Sequence, residues 1–550
     1  MDLSNKTMYQ AVLESAKQNP HGIALYYQGK KIRYSKFISL IDDMADILYN
    51  RLSIHEGDVV LLAQPNIPEA LVLFYALNKI GAVANMIHPF IPFNQVRLIY
   101  RRTNSKVAFL FEQRVAKEVE RYRDFKEKIY VTRIEDSLPF LKKCVYHFMN
   151  RKIRHKLGKF RGNFSGFNYL KDLKPTGQGS PTVEHKKDAV RVLLHSGSTT
   201  GDPKTICLSD WNFNFLAERA CEDVSCTPEE IKNRGLLAVL PTFHGFGLCT
   251  AMHFPLTNQF YAIMVPRFRP KETAKLMKKV NVSFIIGVPT MYESFLKCDE
   301  FVNSKHLKDL HVCFCGGDTL SPSLKERWDN AIKKQGGHCQ IFEGYGLTEA
   351  VCVNAVNTYA DNRPGSFGKP NRGVEFRIVD QEGNEVERGK IGEITLKSPA
   401  IMVGYFKDEE NTKKAIRDGW LYTGDLGYMD EDGFIFFTQR KKRVVKVSGV
   451  GVFPTEIERL VESIPSVQAC CAVRIPDARL QSAIKIFVVA EYFDEEGMKE
   501  TIMDTCRKYL IRWALPKEIE FRKELPVTQY GKVDFNRLQK EEDERRGIKN

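Results

Sequence analysis

Short apolar runs alternate with longer segments of helical period through the first two thirds of the chain. Val59–Gln64 reads as a strand, Glu69–Ile80 as a helix and Gly81–Ile87 as a strand again. Val190–Leu194, Leu236–Leu240, Val282–Gly287 and Val312–Cys315 are further strand-like runs, each closed by turn-forming residues. This alternation predicts an α/β fold with largely parallel sheets and ligands at the carboxyl ends of the strands. After about residue 365 the strands come closer together, at Glu375–Val379, Gly392–Leu396 and Gly433–Phe437, with a turn signal at Asp432–Gly433, which predicts a smaller β-rich part. A polar, basic stretch, Gln439–Arg443, follows. Beyond it, Thr455 and Glu458 have capping-box spacing and predict a helix over Ile457–Ile464. The expected organisation is a large N-terminal domain of α/β subdomains plus a β-rich part (1–438), a hinge (439–443) and a small, mobile α+β C-terminal domain (444–550). No period of 20–50 residues recurs, which excludes solenoids and propellers.

Composition narrows the class. The chain has 550 residues, 43% hydrophobic and 27% charged, within the range of a folded globular protein. The N-terminus lacks a basic segment followed by an apolar run, so no signal peptide is expected. The most apolar stretch, Ala70 to Ile87, is broken by Asn78, Lys79 and Asn85. The 13 cysteines form no CxxC pair and read as reduced core residues of a cytoplasmic protein. The formal net charge is +14, and the segment 142–174 alone carries +9. Tyr146, Phe148, Phe160, Phe164, Phe167 and Tyr169 are interleaved with its basic residues. Such a mixture suits the surface of an anionic membrane or RNA, and equally a solvated surface insertion. No nucleic-acid fold signature accompanies it. Nucleic acid is therefore not an expected partner, while peripheral contact of a cytoplasmic protein at the inner membrane surface and a merely solvated insertion both stay open.

Candidate chemistry lies in five segments. The first strand-like run to end in hydroxyls leads from His195 through Ser196, Gly197, Ser198, Thr199, Thr200 and Gly201 to Lys204. Glycines admit close approach of backbone N–H groups to oxygens, hydroxyls donate and a lysine adds positive charge, as a phosphate cradle requires. The Walker A pattern is absent. The second segment runs from Glu343 through Gly344, Tyr345 and Gly346 to Thr348 and Glu349. The third is Trp420–Asp425. The fourth joins Gln439 and Arg440 to Lys446, Ser448 and Gly449. The fifth ends at Lys532.

In this order and at these spacings the segments resemble the adenylate-forming superfamily, most closely its acyl-CoA synthetases, over roughly Asn19 to Lys540. The resemblance implies that a carboxylate is joined to ATP, with pyrophosphate release, and then passed to a thiol. It implies that the loop from Ser196 to Lys204 covers the β- and γ-phosphates, that Thr348 donates to the α-phosphate and that Glu349 holds Mg²⁺. Tyr345, flanked by Gly344 and Gly346 in the ATP-binding turn, would stack on adenine, with Gly316–Gly317–Asp318 on another side of the ring. Asp425, with Arg440 beside it, would accept the ribose hydroxyls, and Lys532 would bridge the carboxylate and the α-phosphate. Lys442 matches the hinge about which the small domain rotates. Lys446, Ser448 and Gly449 match the face it then presents to coenzyme A.

The run Pro241–Gly247 is similar to the acyl- and aryl-CoA ligase form, which places His244 beside the carboxylate. No acid stands at Phe243 or His244 to meet a substrate ammonium, so an amino acid is disfavoured. The expected activity is that of an AMP-forming acid–thiol ligase acting on a medium- or long-chain fatty acid, with ATP, Mg²⁺ and coenzyme A. The alternatives are loading of a carrier protein, an aryl or bile-acid-like carboxylate, and a weakened nucleotide-binding adaptor at a membrane. Ser198 stands where the common loop has glycine, Glu343 where glutamine is usual, and Gln439 where glycine is usual. Glu343 is expected to put an extra carboxylate near the nucleotide.

Overall fold

The computed structural model describes residues 3–124, 128–153, 167–196, 204–448, 450–477, 479–491, 494–528 and 532–548. Two large sheets form the N-terminal part. In the first, strands Ile341–Gly346, Val312–Cys315, Val282–Gly287, Gly235–Ala238, Tyr261–Met264 and Ile23–Tyr27 run parallel in that spatial order. In the second, Val190–His195, Val83–Met86, Val59–Ala63, Val107–Phe111, Lys128–Thr132 and Phe167–Tyr169 run parallel, with Thr205–Ser209 antiparallel at one side. The helix Pro68–Lys79 buries every residue except Glu69 and belongs to a core shared by both sheets. A helix apolar on all sides can only be an interior element, which explains its lack of a polar stripe.

The β-rich part pairs Glu375–Val379, Gly392–Lys397, Trp420–Met429 and Ile435–Arg440 as one antiparallel sheet. The last of these strands begins two residues later than its sequence suggested. The Asp430 carboxylate accepts the backbone N–H of Asp432 and Phe434 and holds 430–434 in a turn. The smaller C-terminal part has a hairpin, Val445–Val447 with Val450–Val452, and a sheet of Val467–Asp477, Gln481–Ala490 and Pro516–Phe521. It has hydrophobic clusters of its own. The expected capping box is not formed. Pro454, with its φ already helical, starts the helix at Pro454–Glu462, and Phe453 at the N-cap makes no side-chain bond. Glu458 instead accepts from Arg443 (2.7 Å) and from the Ala472 N–H (2.8 Å).

Segment 142–174 is not one free insertion. Its start is the end of the helix Phe140–Met149, and 167–169 adds a parallel edge strand beside Lys128–Thr132. Tyr169 is buried beneath the Arg133 guanidinium at 4.6 Å. Phe160 and Phe164 lie outside the described residues.

The loops that follow the parallel strands meet at their carboxyl ends, as the fold class requires. Asn66 ties the two sheets together there. Its amide donates to the Leu240 carbonyl (2.9 Å), and its side-chain oxygen accepts the Thr242 N–H (3.1 Å). Gly245 then packs against the turn after Glu349, where Val351 has φ 62° and ψ −64° and the Cys352 N–H reaches the Ala350 carbonyl at 2.7 Å. A β-branched residue in such a three-residue turn costs roughly 1–3 kcal/mol. A Cβ at Gly245 would stand 1.9 Å from the Val351 carbonyl oxygen. Gly245→Ala is therefore expected to lower stability by roughly 1–3 kcal/mol, read from the urea unfolding midpoint. A midpoint equal to that of the parent protein would contradict this packing.

Candidate active site

The strand Val190–His195 and its neighbour Thr205–Ser209 hold the neck of the hydroxyl-rich loop. The Lys204 N–H donates to Ser196 Oγ (3.0 Å), and the Ser196 N–H donates to the Lys204 carbonyl (2.9 Å). Gly197, Ser198, Thr199, Thr200 and Gly201 lie outside the described residues. The Lys204 ammonium sits over the Tyr405 ring at 4.3 Å, and the Tyr405 hydroxyl donates to Glu349 Oε1 at 3.0 Å. Burial, with the Glu349 carboxylate beside it, holds the Tyr405 phenol protonated far above neutral pH. Sequence reasoning missed Tyr405, which lies in a two-residue edge strand, Gly404–Tyr405, paired with Thr205–Ser209, and carries no motif of its own.

Asp425 closes the third of the five sequence segments. It lies within the long strand Trp420–Met429, directly across from Arg440. The carboxyl is buried, and its Oδ2 accepts the Tyr345 hydroxyl at 2.7 Å. Arg440 Nε pairs with Oδ1 as an ion pair at 2.9 Å but off the line of a hydrogen bond, so among the described residues Oδ1 has no hydrogen-bond donor. A buried carboxylate oxygen left this way costs of order 1–3 kcal/mol until a donor arrives, which suits a ligand hydroxyl. Burial pushes the Asp425 carboxyl up, and Arg440 and Tyr345 oppose that shift. The Tyr345 ring is stacked on Phe367 (5.5 Å, 24°). Gly346 fits only without a side chain, since a Cβ would lie 1.5 Å from the Cys352 carbonyl.

Lys532 reaches this group from the C-terminal part. Its Cε is 3.7 Å from where a Gly317 Cβ would be. Burial draws the Lys532 ammonium below its usual range. Asp318 and Asp425 hold it up, and Arg440 adds to the lowering. Gly316 is backed by the Phe246 ring, 3.0 Å from its missing Cβ, and its N–H donates to the Gly287 carbonyl. His244 completes the group. Its Nδ1 accepts the Phe246 N–H at 3.2 Å, which leaves the ring proton on Nε2. Burial, with Lys532 nearby, pulls its pKa down to about 4, so the ring is neutral at neutral pH. The structure thus brings Thr348, Glu349, Lys204, Tyr345, Asp318, Asp425, Arg440, His244 and Lys532 to one place.

Other predicted positions stand elsewhere. Lys446 and Ser448 are exposed on the C-terminal hairpin, and Gly449 lies outside the described residues. Lys442 sits within the 3₁₀ turn Lys441–Arg443. Beside it Gln439 is fully buried, with neither end of its amide paired among the described residues. Among the described residues no cluster of three or more His, Cys, Asp or Glu could hold a metal. Glu349 alone fits Mg²⁺, which takes one or two carboxylate oxygens and fills its remaining positions with water and phosphate.

Glu343 is buried rather than open to a ligand at its Oε1, which accepts the Leu320 N–H at 3.0 Å. The residue lines a cavity of about 310 Å³ with Leu320, Lys325, Asp329 and Gly365. Burial raises its pKa from 4.5 to about 7. The folded protein therefore binds this proton more tightly than the unfolded chain, and stability falls as pH rises from about 4.5 to about 7. Glutamine keeps an acceptor for Leu320 without the charge. Glu343→Gln is expected to be more stable than the parent by up to about 3 kcal/mol at pH 8 and equal to it near pH 4, in paired denaturation curves. A difference that does not change with pH would contradict a neutralised Glu343.

The chain matches the AMP-binding enzyme family over residues 12–406 and the AMP-binding enzyme C-terminal domain over residues 456–532. It is 30% identical to a long-chain-fatty-acid–CoA ligase of Bacillus subtilis, covering 100% of this chain and 97% of that protein. An Escherichia coli protein of the same name is 30% identical over 99% of this chain and 96% of its own length. An anthranilate CoA ligase in complex with anthranoyl-AMP superposes with a TM-score of 0.83, at 22% identity, over 99% of this chain and 98% of that one. A Mycobacterium tuberculosis fatty acyl CoA synthetase gives 0.71 at 22% identity, over 97% and 98%. With two family matches in chain order and relatives aligned end to end, the chain belongs to the AMP-binding enzyme family, acid–thiol ligases that work with ATP, Mg²⁺ and coenzyme A.

Proposed function

We propose that this chain activates a medium- or long-chain fatty acid as its acyl-adenylate and transfers the acyl group to coenzyme A. A carboxylate oxygen attacks the α-phosphorus, the bond to pyrophosphate breaks, and the mixed anhydride with AMP remains. The coenzyme A thiolate then attacks the acyl carbon and AMP leaves. The first step sets an anion against a polyanion. Two unit charges about 4 Å apart repel by roughly 4 kcal/mol at an effective dielectric of about 20.

One observation carries the proposal: Lys532, from the C-terminal part, stands among Asp318, Asp425 and Arg440 beside the loop of His244. There its ammonium reaches both the incoming carboxylate and the α-phosphate. Thr348 donates to the same phosphate, and Ser196 to Lys204 close over the outer phosphates. Glu349, oriented by Tyr405, holds Mg²⁺, which when bound neutralises phosphate charge. Asp425 Oδ1 takes a ribose hydroxyl in place of its missing donor. Tyr345, braced by Phe367, supports the adenine with Gly316 and Gly317. Neutral His244 donates from Nε2 toward the acid. The names of the long-chain-fatty-acid–CoA ligases at 30% identity favour a fatty acid, as does the lack of an acid at Phe243 or His244 to bind an ammonium.

The same reading divides the chain into 1–438, a hinge at 439–443 and 444–550. Rotation about Lys442 would withdraw Lys532 and bring Lys446, Ser448 and Gly449 toward the thiol. Lys532→Ala is then expected to cut adenylate formation by about 10²–10³-fold and to leave thioester formation from supplied acyl-adenylate within a few-fold of the parent. Both half-reactions are read by product mass. Equal loss in the two would contradict the role given to Lys532.

A further inference from the structure

The helix Phe140–Met149 has its faces reversed. Its polar side is the one that meets the protein. Lys142 donates to the Gln28 carbonyl (2.7 Å), the Tyr146 hydroxyl donates to Glu112 Oε1 (2.9 Å), and His147 Nδ1 lies 3.3 Å from Glu135 Oε2. Its apolar side faces outward. Phe140, Leu141, Val145, Phe148 and Met149 are each between 60% and 79% exposed, with Cys144 exposed among them. At 100° per residue these six cover one half of the helix circumference. Thirteen large hydrophobic residues are exposed among the described residues, and these five come from this single ten-residue helix. Scattered exposed apolar residues are ordinary, whereas a contiguous stripe marks a surface that is covered in use.

The charge around the stripe identifies what covers it. From Phe140 to Ile153 the chain carries Lys142, Lys143, Arg151 and Lys152 and no carboxylate. Lys171 and Lys174, exposed near the edge strand, add to the same sign. A second copy of this chain would bring an equally basic rim against this one, which like-charge repulsion opposes. An anionic lipid surface satisfies both features at once, taking the apolar residues below its headgroups and the basic ones among them. Ten residues make about 15 Å of helix, half a bilayer core, so the element lies flat and cannot span. No helix among the described residues is long and apolar enough to cross a membrane.

We propose that the helix Phe140–Met149 docks the enzyme on an anionic bilayer, with Phe140, Leu141, Val145, Phe148 and Met149 in the acyl–headgroup boundary. Under the function proposed above, a relay of contacts joins the helix to the loop of His244. Glu112, which holds Tyr146, follows Phe111. Phe111 packs on Phe90 (5.7 Å), and His88 beside it packs on Phe243 (4.7 Å), the neighbour of His244.

The test is co-sedimentation of the full chain with phosphatidylcholine vesicles containing roughly 30% phosphatidylglycerol. The parent protein is expected to bind at low salt and to lose most of its binding at about 0.5 M salt. The double variant Leu141→Asp/Phe148→Asp, altered only at exposed positions, is expected to bind about tenfold more weakly. Its adenylation of a medium-chain fatty acid supplied in solution without vesicles should stay unchanged, which separates failure of docking from failure of the activity. Vesicle binding that the double variant leaves intact would overturn the proposal. So would a parent protein that ignores vesicles but forms a dimer in sedimentation velocity that the double variant breaks, since the occupant would then be a second copy.

Discussion

An anion can attack a polyanion only where fixed positive charge and oriented donors have been placed beforehand. That constraint explains why a lysine near the end of the chain sits beside an aspartate–arginine pair from the β-rich part and a glycine pair from the parallel sheet. Water could screen the repulsion but would reorganise as charge moves. A lysine whose ammonium is already partly desolvated, held by Asp318 and Asp425, needs no such rearrangement. The rest of the chain is arranged so that three separately built regions deliver side chains to one point.

The parallel sheets make this convergence possible. Strands ending at His195, Ala238, Gly287, Cys315 and Gly346 release their loops on one side, and each loop is pinned by its neighbour. Asn66 fixes the start of the His244 loop, and Gly245 abuts the strained turn at Val351, which in turn sets Thr348 and Glu349. The small C-terminal part differs in kind. It has its own sheet and clusters and meets the larger part through polar contacts such as Arg459 to the Phe437 carbonyl and Lys297 to Gln468. Polar contacts of this sort can be exchanged for water at little net cost, as the proposed rotation about Lys442 requires. Among the described residues the Gln439 amide, at the joint between the two parts, is buried without a hydrogen-bond partner.

Much of this was legible in the sequence. Buried parallel strands are continuous apolar runs, so their positions could be read to within a residue or two, and the glycine- and hydroxyl-rich loops announced themselves by composition. What was not legible depends on neighbours distant in the chain. Tyr405 orients Glu349 and supports Lys204, yet a lone tyrosine carries no pattern. Only the resemblance singled out Asp425, because its burial and conformation depend on strand pairing with Arg440. Thr455 and Glu458 matched a cap, but Pro454 and the demand of Arg443 for a carboxylate prevailed. The basic segment could be seen. That its apolar neighbours Phe140 and Leu141 point outward while Tyr146 points in required the packing of the helix on Gln28, Glu112 and Glu135.

The most direct measurement is a product assay by mass spectrometry, with Mg-ATP and a pool of fatty, aryl and steroid carboxylates, in the presence and absence of coenzyme A. The account predicts fatty acyl-CoA and AMP only when coenzyme A is present, and a fatty acyl-adenylate when it is withheld. An acyl-adenylate that accumulates while coenzyme A stays untouched, or the absence of both products with every acid, would contradict it.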